Sequence, residues 1–194
     1  NEQGAMSALA GAQARPLLEK QDGTLDLDEI AAAIRTSDDH HPITRMVAVE
    51  NTHNLCGGVP LSAAYMQAVG ELAQRHGLIM HLDGARLFNA AVALDVSAAD
   101  LAAPADSVSI CLSKGLSAPV GSVLCGSADF IRAARRARKV LGGGMRQAGV
   151  LAAAGVVALT TMVERLRDDH ENAKVLASAL AAVPGVVVNN SAVA

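Results

Sequence analysis

Lys114 stands in CLSKGLSAPVG, between an apolar run and a turn rich in Gly and Pro. A primary amine at such a place, partly withdrawn from water, can form a Schiff base with an aldehyde. Ser113 beside it offers a hydroxyl that could donate to a phosphate. Asp83, in HLDGAR, puts a carboxylate at the end of another apolar run, and Arg86 follows three residues later. Each residue also has an ordinary reading. Lys114 could be a solvated strand-end lysine, Asp83 the turn former of an Asp-Gly pair, and Arg86 a surface ion-pair partner.

Taken together, the amine and the carboxylate suit one kind of chemistry. A pyridoxal-phosphate ring needs an amine for its aldehyde and an anion beside its pyridine nitrogen. Arg86 could then bind a ring oxygen or a substrate carboxylate. A third cluster, KVLGGGMRQAG, sets three glycines between Lys139 and Arg146. Exposed backbone N–H groups there could meet an anion, although a glycine run is as readily a hinge. It does not have Walker-loop spacing, and GxGxxG is absent from the sequence. Of the histidines, His40 and His53 lie in loops and are acid–base candidates; His81 lies inside a strand and is read as structural, turned away from the site.

These residues need a scaffold that brings strand ends together. RMVAV (45–49) reads as a strand, LIMHLDGAR (78–86) and SVSICLSKG (107–115) each as a strand ending in a loop, and GSVLCGS (121–127) as a further strand. A helix from Ser62 to His76, stopped by Gly77, joins the first two. Earlier, residues 2–13 read as helical, and a turn at Asp22-Gly23 leads into a helix capped by Thr24 or Asp26, with Ile30 and Ile34 on one face. Later helices are expected at 128–141, from Arg146 to about Arg165, and from Asp168 to about Ala182, before a strand in VPGVVVNN. The alternation predicts an α/β protein: a mostly parallel sheet covered on both sides, with ligands beyond the carboxyl ends of its strands. Glu50, Asp83 and Lys114 all fall there.

The bulk properties agree. The chain has 194 residues, 51% hydrophobic, with 2% aromatic, so Ala, Val and Leu fill the core. Net charge is −3, and no basic run is interleaved with aromatics, which argues against a nucleic-acid partner. Cys56, Cys111 and Cys125 stand far apart without a CxxC pair, so no metal site is expected. Cys111 and Cys125 read as small core residues, and unpaired thiols suit a reducing cytoplasm. No stretch has the roughly 18 consecutive apolar residues of a membrane helix. Asn1 is not a natural start and NNSAVA is an abrupt end, which suggests a fragment incomplete at both ends.

Four segments, in order, resemble the low-specificity threonine aldolases: ENTHN (50–54), HLDGARLFNA (81–90), SICLSKGLSAPVGSVLCG (109–126) and GGGMRQAGVLAAAG (142–155). The resemblance runs from about Glu2 to at least residue 180. It implies a three-layer α-β-α fold of the aspartate-aminotransferase type, fold type I of the pyridoxal-phosphate enzymes. A large cofactor-binding domain would occupy 1–165 and the start of a small domain 166–194. It implies an aldolase that cleaves β-hydroxy-α-amino acids, threonine and allo-threonine among them, to glycine and an aldehyde. Residue by residue, Lys114 is similar to the lysine that carries the cofactor, Asp83 to the aspartate on the pyridine nitrogen, and Arg86 to an arginine near the ring oxygen and substrate. His40 falls where an active-site histidine lies near the substrate hydroxyl, with His41 as a substitute. Arg146 and Lys139 match basic residues near the phosphate, the latter reaching from a neighbouring subunit. The family's phosphate-binding Gly-Thr segment and its ring-stacking histidine would precede Glu2, and a carboxylate-binding arginine would follow Ala194. A homotetramer built from dimers is the assembly the resemblance implies. Another type I lyase, a hydroxymethyltransferase or a non-catalytic remnant are the competing readings.

Overall fold

A computed structural model describes residues 2–188. Local signals set most element boundaries. Asp26 accepts hydrogen bonds from the backbone N–H groups of Asp28 and Glu29, which fixes it as the cap of α2 (Leu27–Ala33), after α1 (Ala5–Ala10). Ser62 caps α3 (Ala63–Arg75) and Ser127 caps α6 (Ala128–Val140) in the same way. Gly77 ends α3 at φ 63°, a conformation that glycine adopts without steric penalty.

Four strands form one sheet in sequence order: β1 (Met46–Glu50), β2 (Ile79–Asp83), β3 (Ser107–Cys111) and β4 (Ser122–Gly126). β1, β2 and β3 are parallel; β4 runs antiparallel to β3. The link Leu112–Gly121 is too short for a crossover helix, so the chain turns back on itself there. Between β2 and β3 lie α4 (Leu87–Leu94) and α5 (Ala98–Ala102).

Alternation along the strands sorts the side chains. Val47, Val49, Met80, Leu82 and Val108 face α3 and its neighbours and are buried with Met66, Val69, Leu72, Leu87 and Leu101. The other face carries Met46, Ala48, Ile79 and Asp83, all exposed. A second cluster joins Leu112, Leu116 and Ala118 of the β3–β4 link to Ala158 and Leu166.

The C-terminal helices differ from expectation. The single helix read over 146–165 is α7 (Gly149–Val157) followed by a π-helical segment (Ala158–Met162), and α8 (Leu166–Ala181) starts after a turn. The hydroxyls of Thr160 and Thr161 donate to the carbonyls of Val156 and Val157, side-chain bonds that compete with the regular ladder. Val183 to Val188 form turns and coil, and the rest of VPGVVVNN lies outside the described residues. Cys111 is half-buried and Cys125 exposed, so neither is the core residue expected from its apolar strand. Both lie toward the β4 side of the sheet, where every β4 residue is exposed. Among the described residues no single helix is long and apolar enough to cross a membrane.

One buried polar residue locks the loop that leaves β1. Asn51 is fully buried; its Nδ2 donates to the Leu61 carbonyl and its Oδ1 accepts from the Leu61 N–H, each at 3.0 Å. Asn51→Ala strands both groups of a buried residue, at a cost of about 2–4 kcal/mol. Calorimetry of the variant should therefore show Tm lowered by roughly 4–16 °C. An unchanged Tm would mean that Leu61 finds other partners.

Candidate active site

The parallel register places chemistry along one edge. Glu50 of β1 lies beside Asp83 of β2, and Asp83 beside Ser109 of β3. Cys111, two residues beyond Ser109, shares their face, and its antiparallel partner on β4 is Ser122. His81 is two residues from Asp83, so it shares that face too rather than turning away as expected. Its Nδ1 lies 2.8 Å from Ser107 Oγ. Partial burial holds the His81 imidazole below the usual histidine range, against the pull of Asp83.

Asp83 both forms the turn and ends the strand. Its Oδ1 accepts from the Ala85 N–H at 3.1 Å, and Gly84 N–H donates to the Ser109 carbonyl at 2.8 Å. A Cβ at Gly84 would stand 2.9 Å from that same oxygen, so glycine is what lets the turn pack against β3. The carboxylate is left exposed at the strand end.

Arg86, just before α4, sends Nη1 to within 3.8 Å of Glu50 Oε1, with both side chains 30% exposed. The guanidinium also lines a cavity of about 370 Å³ whose walls include Thr52, Asn89, His170, Leu176 and Leu180. Burial of His170 there lowers its affinity for a proton, and its Nε2 lies 3.2 Å from Asn89 Nδ2. Neither Lys114 nor Asp83 lines this cavity.

Lys114 sits on a tight loop closed by hydrogen bonds from Ser117 N–H to the Lys114 carbonyl and from Ala118 N–H to the Leu112 carbonyl. Its side chain is exposed, not desolvated as its sequence setting suggested, and Nζ donates to Cys111 Sγ at 3.0 Å. A Cβ at Gly115 would stand 2.6 Å from Leu166 Cδ2 at the start of α8, so glycine lets the loop pack there without displacing that side chain. The apolar run around Cys111 hides its place at the site; the alternation from Asp83 and Ser109 and its position three residues before Lys114 are the signals that mark it.

The remaining candidates lie apart. Ser113 is exposed beside Lys114. Lys139 ends α6 and Arg146 follows the glycine run; both are exposed, and neither pairs with the strand-edge groups among the described residues. His40 lies in the loop before β1 with its side chain 87% exposed, and its Nδ1 is 3.0 Å from Asp38 Oδ1. The backbone and ring of His40 together hold the Asp38 carboxyl below its ordinary range. His41 pairs its backbone with Asp38 as well. Among the described residues no three His, Cys, Asp or Glu side chains gather as metal ligands.

An amine, a carboxylate and a guanidinium thus lie at the carboxyl ends of parallel strands, where α/β proteins place their ligands. The chain belongs to the beta-eliminating lyase family, which matches residues 1–194. It is 50% identical over 194 residues to low-specificity L-threonine aldolase 1 of Arabidopsis thaliana, covering 99% of this chain and 54% of that protein. With the low specificity L-threonine aldolase of Escherichia coli K12 it shares 45% identity over 179 residues, 92% of this chain and 53% of the other. The chain thus spans about half the length of these relatives. The fold matches that of the Leishmania major threonine aldolase, with TM-score 0.76 and 23% identity over 92% of this chain and 54% of that one. At that identity the likeness speaks for the fold alone, and it is the α/β class expected from the sequence.

Proposed function

We propose that the whole protein is a pyridoxal-phosphate-dependent aldolase cleaving threonine, allo-threonine and other β-hydroxy-α-amino acids to glycine and an aldehyde. The observation that carries this reading is the register that sets Asp83 and Cys111 on one face of one strand edge, with Lys114 bonded to Cys111. The chemistry of the strand-edge donors fits the cofactor: an amine for its aldehyde and a carboxylate for its ring nitrogen. When bound, pyridoxal phosphate supplies that aldehyde and a ring that accepts the electron pair of a breaking bond.

Lys114 would hold the cofactor, and the Asp83 carboxylate would keep a proton on the ring nitrogen. Ser113, Arg146 and Lys139 would meet the phosphate. Arg86 would bind the substrate carboxylate with a planar two-point grip, turning the Cα–Cβ bond into the orientation that breaks. His40 would take the proton of the β-hydroxyl. The contact of its Nδ1 with Asp38 favours the tautomer that donates there, which leaves Nε2 free as the acceptor. The aldehyde then leaves and a proton returns to the glycine carbon. Residues 1–165 would form the cofactor domain and 166–194 the start of a small domain.

The reading includes a homo-oligomer, a tetramer, in which exposed apolar residues such as Val140 and Val150, 84% and 71% exposed, would meet a second copy. The free thiols of Cys56, Cys111 and Cys125 suit the cytoplasm.

The test is a product assay on the full-length protein loaded with pyridoxal phosphate. Threonine should yield glycine and acetaldehyde in equal amounts. Ammonia and a keto acid in their place would assign β-elimination and overturn the aldolase reading.

A further inference from the structure

Among the described residues Cys111 is the side-chain hydrogen-bond partner of the Lys114 amine, and the reading above leaves it without a task. The contact is direct: Nζ donates to Sγ at 3.0 Å. It is also built from two elements. The sulfur is fixed by β3, and Ser122 Oγ on neighbouring β4 lies 3.6 Å from it, so the thiol has a hydrogen-bond partner on each side. Asp83 on β2, the charged group facing it from the other flank, opposes loss of its proton. Partial burial pushes the thiol up. The hydrogen bonds from Lys114 and Ser122, with the charge of Lys114, outweigh it and bring Cys111 below the ordinary thiol value.

We propose that Cys111 is a positioning residue: its sulfur holds the ε-amino group of Lys114 over the strand edge whenever that amine is free. The inference rests on the cofactor reading for its purpose and on the contact for its substance. Lys114 is exposed and its stem has four rotatable bonds, so a free ammonium would otherwise sample solvent. The soft sulfur three residues away gives it one resting place. An amine displaced by substrate would wait there for the return step, hydrogen-bonded to the sulfur. An amine attacks in its neutral form, and the sulfur beside it can exchange a proton with it. The exchange moves one proton between Nζ and Sγ and needs no other reactant.

The experiment uses cofactor-free full-length protein in which Cys56, Cys125 and every other cysteine except Cys111 are serine, so that iodoacetamide reports Cys111. The pH profile of alkylation is recorded for this protein and for its Lys114→Met and Lys114→Arg variants. Lys114→Met should move the midpoint upward by about one unit, a roughly tenfold slower reaction below the midpoint. Lys114→Arg, which keeps a cation in reach, should restore most of the shift. Identical profiles in all three proteins would overturn the pairing. A structural role for the lysine would change accessibility at every pH and leave the midpoint in place, which would also overturn it. Failure of the cofactor reading shows separately: pyridoxal phosphate followed by borohydride should label Lys114 in the parent protein. Label on another lysine would discard that reading while the thiol profile still decides the pair.

Discussion

Lys114→Ala in the full-length protein should abolish the absorbance band near the edge of the visible that marks a lysine-linked pyridoxal phosphate. Turnover should fall by several orders of magnitude, the scale on which covalent groups matter. The structure makes this a clean test. Lys114 is exposed, and its only side-chain hydrogen bond among the described residues goes to Cys111. The loop that carries it is closed by backbone hydrogen bonds and by the packing of Leu112, Leu116 and Ala118, none of which the substitution touches. Stability should therefore change by no more than about 0.5 kcal/mol, and lost activity cannot be ascribed to unfolding. If Lys114 were only a solvated strand-end lysine, band and turnover would both survive, and the site would have to be sought elsewhere.

Much of the scaffold was legible because its signals are local. A serine before an apolar periodic run, an aspartate two residues before an acidic turn, and a glycine after the last periodic residue each act within a few residues. Ser62, Asp26 and Gly77 did so at the helix ends. The break between α7 and α8 lacked such a signal. It contains neither Gly nor Pro, and only the return bonds of Thr160 and Thr161 disturb the ladder there.

In the site, the strand ends were legible and the pairings were not. Three apolar runs, each followed by a capable side chain, were enough to place Glu50, Asp83 and Lys114 at one edge. Which face each residue takes depends on register between strands. The apolar composition around Cys111 suggested a core residue, while alternation from Asp83 put it on the open face. His81 yields to the same count. Arg86 with Glu50, and His40 with Asp38, are matters of side-chain reach that one-dimensional spacing leaves open.

Alternation also gives the charge at Asp83 its own test. Asp83→Asn keeps the shape and the Oδ1 that accepts from Ala85 N–H, so the turn into α4 should persist. What is lost is the negative charge proposed to keep the ring nitrogen protonated. Glu50 lies next to it in register, but its carboxylate is 3.8 Å from the Arg86 guanidinium and is already partnered. The variant should therefore still take up pyridoxal phosphate on Lys114, yet cleave threonine about 10²–10³-fold more slowly, the scale of one lost electrostatic partner at a reacting centre. Asp83→Ala should lose this and the turn hydrogen bond together, adding a stability cost of about 1 kcal/mol. Comparing the two separates charge from shape. Full turnover in Asp83→Asn would leave the carboxylate as a turn former and nothing more, and the pairing of β2 with β3 would lose its functional meaning.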